Sequence, residues 1–181
     1  MKNVLGFYLL ILASQSLATK LDNLTFPDSL AVEGQTLKLN GIGLRKATVF
    51  KVKVYGAALY LNEPTHKSSV ILKSTTPKVL IMKFLRDVSK EKINDAWDSA
   101  FEKNSAKYHE QIKKLKSLMP DAKEGDSIEY LFLAEKTEVK VNQTLKGSLE
   151  GGDWGQALLA TWLGDNPPTE ELKNGLLGIS N

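Results

Sequence analysis

The chain has 181 residues, no cysteine, and a formal net charge of +3 from 24 Lys and Arg against 21 Asp and Glu. Without thiols there is no disulfide framework, no cysteine nucleophile and no cysteine zinc ligand, so an apolar core must hold the fold. A charge this mild gives no sign of a nucleic-acid surface, which would normally show a clustered basic stripe, and Lys107, Lys113, Lys114 and Lys116 read at helical spacing as a solvated face.

In chain order, the first feature is Lys2 followed by the apolar run Val4–Ala13, with Ser16 and Ala18 three and one residues before Thr19. That is the layout of a secretory signal peptide, too short and too sharply ended for a spanning helix. The expectation is a cleaved segment 1–18 and one domain over 19–181, periplasmic or secreted, with no stable membrane span. A retained membrane anchor is the alternative. Thr36–Leu39 reads as a short strand ended by Asn40-Gly41 and Gly43. Phe50–Leu61 alternates, with Val52 and Val54 on one face and Lys51 and Lys53 on the other, as a half-buried strand does. Gly56-Ala57-Ala58 interrupts it with small side chains, which suits a bulge or a close approach by another layer or a ligand. Val79–Leu85 is the next strand.

Ser89 then caps a long predicted helix. Ile93, Trp97, Ala100, Phe101, Tyr108, Ile112, Leu115 and Met119 recur at threes and fours, and Pro120 closes it. Ser127–Ala134 and Glu138–Leu145 read as a hairpin across Glu135-Lys136-Thr137. Asp153 is placed to cap a helix to Leu163, with Gly164 as a left-handed exit. Thr169 caps a short helix over Glu170–Lys173. Strands, helix, strands, helices argue for α+β: an antiparallel sheet with helices packed on one face.

Most familiar site chemistry is missing. His66 and His109 have no His or Cys partner at ligand spacing, so no metal site is expected. There is no Gly-x-Ser-x-Gly elbow, P-loop or dinucleotide fingerprint, no carboxylate pair stands out, and no cofactor is implied. Arg45 is different. It is one of two arginines in a lysine-rich chain, it follows Gly41-Ile42-Gly43-Leu44, and it precedes a strand carrying Tyr55 and Tyr60. A guanidinium fork grips a carboxylate or polarises a carbonyl, and the glycines would let backbone come close beside it. A structural ion pair at a turn is the competing explanation.

The run LNGIGLRKATVFKVKVYGAALYLNE, Leu39 to Glu63, resembles the signature region of the chalcone isomerase family, including its isomerase-like and fatty-acid-binding members. Ala160-Thr161-Trp162-Leu163-Gly164 and Pro168-Thr169-Glu170-Glu171-Leu172-Lys173 are similar to that family's threonine-bearing helix end and the short helix after it. Most closely the chain looks like the bacterial, exported isomerase-like branch. The resemblance implies an open-faced β-sandwich, a large antiparallel sheet covered by helices, with a cleft between the layers. Plant members close a flavanone ring by intramolecular attack of a phenolate on an unsaturated ketone.

Carried over residue by residue, the family's arginine is matched by Arg45 and its second threonine by Thr161. The first threonine position falls on Tyr55, the tyrosine near Val88, and the asparagine near Asp95, or Asn94 if the register slips by one. An isomerase acting on a flavonoid-like enone would therefore rely on Arg45, Tyr55 and Thr161. Losing two positioned donors should cost its transition state several kcal/mol, at about 2.7–4 kcal/mol for one. Arg45 with Tyr55 instead resembles the pair that holds a carboxylate in the fatty-acid-binding members. The leading expectation is a small apolar acid bound by Arg45, Tyr55, Asn94, Asp95 and Thr161, with Val52, Val54, Leu59, Ile81, Trp97, Phe101 and Leu158 as candidate lining. The alternatives are that isomerase and a partner-binding module of the cell envelope, with Trp154 or Trp162 on an exposed patch.

Overall fold

Each strand of the main sheet pairs with the next one in the chain, and this simple order positions everything else. The computed structural model describes residues 17–102 and 107–179; the Val4–Ala13 run of the expected signal peptide lies outside the described residues. Strands β1 (Ala18–Leu21) and β2 (Leu24–Pro27) form a small separate hairpin. Then β3 (Ser29–Val32), β4 (Gln35–Ala47), β5 (Val52–Leu61), β6 (Lys78–Phe84), β7 (Ser127–Phe132), β8 (Lys136–Val141) and β9 (Thr144–Glu150) make a seven-stranded antiparallel sheet in chain order. Helix α1 (Ser68–Lys73) lies between β5 and β6, α2 (Lys90–Phe101) and α3 (His109–Leu118) between β6 and β7, and α4 (Gly152–Leu163) and α5 (Glu170–Leu176) close the chain.

All five helices bury side chains in one cluster with the inner sheet residues Leu59, Leu80, Met82, Tyr130 and Val139. The α+β architecture expected from the pattern is the one that forms. The opposite face is not left open at its centre. The β1–β2 hairpin packs Phe26 there against Ala58, Tyr60 and Ile81, and the Tyr60 hydroxyl donates to the Pro27 carbonyl at 2.9 Å. Double cover explains why every residue from Tyr55 to Leu61 is buried rather than every second one. It also decides among a bulge, another layer and a ligand at Gly56-Ala57-Ala58. Strand β5 pairs with β6 in unbroken register there, and a Cβ on Gly56 would lie 2.5 Å from the Leu24 Cδ1. The small side chains admit the hairpin.

Several expectations need correction. The first strand does not stop at Leu39; β4 runs on to Ala47 through one extra residue, Asn40, bulged against β5. Gly41 and Gly43 do let backbone come close, as expected, and the backbone is that of the last helix. They admit α5: a Cβ on Gly41 would strike the Gly175 carbonyl, and one on Gly43 would lie 2.6 Å from that of Leu172. Asn40 Nδ2 donates to the Leu176 carbonyl at 2.8 Å and His66 Nδ1 meets that of Leu177 at 2.6 Å, fastening the far end of α5.

The single long helix is two. Ser89 caps α2 as expected, accepting from the Lys92 N–H, but Tyr108 leaves helical geometry with φ −118° and ψ 26° before α3 begins. The apolar pattern crosses from Phe101 to Tyr108 in one heptad, which keeps the stripe in phase and hides the break. Gly164 is extended (φ −81°, ψ −159°), not left-handed, and a Cβ there would meet the Ala160 carbonyl at 2.5 Å. Asp153 lies inside α4, behind an N-cap at Gly151 with φ 110°.

Candidate functional site

A bulge builds the site. Arg45 pairs directly with Tyr55, but the next residue of β4, Lys46, pairs with Lys53, leaving Val54 as an extra residue on β5. Bulges re-aim side chains, and this one lets the consecutive residues Val54 and Tyr55 both face the helices. Directly opposed residues of an antiparallel pair share a face, so Arg45 comes to the same side as Tyr55. The sheet there, together with α2, the end of α4 and the segment Asn166–Pro168, encloses a cavity of about 680 Å³, within the roughly 300–1,000 Å³ of small-molecule sites.

Its wall is apolar and aromatic: Met82 and Phe84 from β6, Ile128 and Tyr130 from β7, Ile93 and Trp97 from α2. Trp97 meets Trp162 edge-on at 5.5 Å between ring centroids and Tyr130 at 6.1 Å. Polar and charged residues line it too, among them Arg45, Tyr55, Arg86, Asp87, Lys92 and Thr161. Trp162 Nε1 donates to the Tyr55 hydroxyl oxygen at 3.2 Å. Burial pushes the Tyr55 phenol up to about 12, against the opposing pull of the Trp162 hydrogen bond and the Arg45 charge. Tyr55 is therefore a neutral phenol whose oxygen already accepts, and among the described residues no acceptor takes its proton. Arg45 donates through Nη1 to the Lys46 carbonyl, and no described carboxylate forms an ion pair with it. The anticipated ion pair at a turn is not what holds this arginine, which sits within β4.

Three of the five expected site residues, Arg45, Tyr55 and Thr161, line this one cavity. Thr161 does so with its hydroxyl donating to the Leu158 carbonyl at 2.7 Å, three residues back in α4. Asn94 and Asp95 are not brought to it. The residues of α2 that line the cavity are Lys92, Ile93, Ala96, Trp97, Ser99 and Ala100, without Asn94 or Asp95. Asp95 is exposed, and Asn94 Oδ1 is buried without a hydrogen-bond partner among the described residues.

Of the expected lining, Val52, Val54 and Trp97 hold their places, while Leu59, Ile81, Phe101 and Leu158 lie elsewhere in the core. Met82, Phe84, Ile128 and Tyr130 were not anticipated. Their common parity along each strand is a usable signal, but Ile81 and Met82 are equally apolar, and composition cannot say which faces the helices. Trp154 and Trp162 form no exposed patch: they are 0% and 2% exposed.

The chain matches the family model described as chalcone isomerase-like over residues 18–178. It belongs to the chalcone isomerase-like family. Among solved structures it is similar to the crystal structure of a fatty-acid binding protein from Arabidopsis thaliana, with a TM-score of 0.72, 13% identity, and cover of 90% of this chain and 96% of that one. At that identity the likeness is one of fold. No curated protein matches the chain. Val88 also lines the cavity and offers it an isopropyl group, without a hydroxyl.

Proposed function

We propose that this chalcone isomerase-like chain binds a small apolar carboxylic acid of the fatty-acid type in its cavity, with little or no isomerase activity. One observation carries the reading. A guanidinium with no carboxylate partner among the described residues and a neutral phenol with a proton to give sit side by side in a cavity with a largely aromatic and aliphatic wall. Arg45 supplies charge-assisted hydrogen bonds to the carboxylate, Tyr55 donates another, and the apolar wall takes the tail. That a protein of the same fold is a fatty-acid binding protein supports this assignment. Turnover of an enone is disfavoured because Val88 offers no donor and the Thr161 proton is engaged by Leu158. The Lys2-led apolar segment supports export to a periplasmic or extracellular site of action.

Native mass spectrometry with lipid extraction, on chain purified from its own cells, tests this. A stoichiometric fatty acid in the wild type that is lost in Arg45→Ala, with binding weakened about ten- to hundredfold, is the expected result. Wild-type affinity in folded Arg45→Ala would refute the anchoring role. Chalcone-type turnover well above the buffer rate, abolished by the same substitution, would favour the isomerase instead.

A further inference from the structure

The turn joining β4 to β5 breaks the ordinary chemistry of turns. Lys51 N–H donates to the Thr48 carbonyl at 3.0 Å, closing a four-residue turn whose central residues are Val49 and Phe50. Those positions normally carry Gly, Pro, Asn, Asp or Ser. Here two large apolar side chains stand 90% and 85% exposed. The flanking residues, Thr48 at φ 63° and Lys51 at φ 51°, adopt a left-handed backbone that a β-branched threonine resists. A sequence that accepts both costs holds its apolar tip outward for a reason.

The surroundings indicate the partner. Ala47, Thr48 and Val52, the residues bracketing the tip, line the mouth of the cavity. Arg86 and Lys92 stand exposed on the same rim, and Lys51 is exposed at the tip itself. None of these three pairs with a described carboxylate, and the rim's acid, Asp87, is held by Lys123 at 2.8 Å. An apolar tip that carries Lys51, beside a cavity with Arg86 and Lys92 exposed along it, complements a bilayer with anionic headgroups: the side chains enter the acyl boundary while Lys and Arg stay among the phosphates.

We propose that the Thr48–Lys51 turn is a membrane-docking tip that seats the cavity mouth on an anionic lipid surface. That docking serves to load or release an apolar acid rests on the function proposed above; the docking itself does not.

The test uses the full chain with Phe50→Trp, read as the difference from wild type, whose own tryptophans are buried. The vesicles are phosphatidylcholine and phosphatidylglycerol in a three-to-one ratio, with and without brominated acyl chains. Because the Val4–Ala13 segment can itself partition into lipid, the readout is local to the tip. The tryptophan at position 50 is expected to shift to the blue and be quenched by bromine, and both effects should fade in pure phosphatidylcholine. Val49→Ser with Phe50→Ser should weaken vesicle binding about tenfold or more, while leaving the melting temperature and palmitate binding in free solution unchanged. Solvent-like emission from position 50 in a vesicle-bound chain would overturn the proposal, as would equal quenching in uncharged vesicles. Loss of palmitate binding in Arg45→Ala with tip quenching intact would keep the two proposals separate.

Discussion

Tyr55 is where the site and the core share an atom. Its oxygen accepts from Trp162 at 3.2 Å, leaving its own proton for a ligand. Tyr55→Phe should therefore act twice: it removes a ligand donor and strands a buried indole N–H. The expected loss is about 1–3 kcal/mol of stability in urea unfolding, with acid binding weaker by about tenfold. Stability unchanged beside weaker binding would mean that Trp162 finds another acceptor. Lys78 gives a second test at this scale. It is 6% exposed, donates to the Ser74 and Thr76 carbonyls at 2.6 and 2.9 Å, and is drawn down to about 8 by burial. Below pH 8 both folded and unfolded chains hold its proton, and the full burial penalty is present. Between about 8 and 10.5 only the unfolded chain holds it, so stability rises with pH. Wild type should gain on the order of 1–3 kcal/mol across that window relative to Lys78→Met, which has no such group. Parallel pH profiles from pH 8 to 10 would contradict this.

At the scale of elements, the contact that defines this fold is backbone against backbone. Helix α5 lies on β4 because Gly41, Gly43 and Gly175 have no side chains to keep them apart. Gly41→Ala should cost about 1–3 kcal/mol or more through overpacking, read as a lower midpoint in thermal unfolding; an unchanged midpoint would mean that α5 is not held there. The two glycines were visible in the sequence, yet what they admit was not, since a residue 134 positions away supplies the contact. Elements with local signals were legible: the Ser89 and Thr169 caps, the alternation at the start of β5, and the β7–β8 hairpin, although its second strand ends at Val141 and not Leu145, because Asn142-Gln143 turn the chain into β9. The split of α2 from α3 was not, because a heptad gap preserves the apolar stripe. Neither was Gly164, whose glycine answers to the Ala160 carbonyl rather than to a left-handed cap.

In the molecule as a whole, the sheet and the helices over it leave a space of about 680 Å³, and the bulge at Val54 turns Arg45 and Tyr55 into it. Arg45, Tyr55 and Thr161 were legible because local motifs mark them. Asn94 and Asp95 were misplaced because helix phase relative to the sheet is a tertiary property, and the wall of Met82, Phe84, Ile128 and Tyr130 depends on which sheet face the helices cover. The central claim is that this space recognises a carboxylate. Calorimetric titration of the purified chain with palmitate and, in parallel, methyl palmitate tests it most directly, since the tails are identical and only the charge differs. One palmitate per chain and an ester bound at least about tenfold more weakly are expected. Equal affinity for the two would contradict it, reducing the cavity to an apolar space and Arg45 to part of its rim.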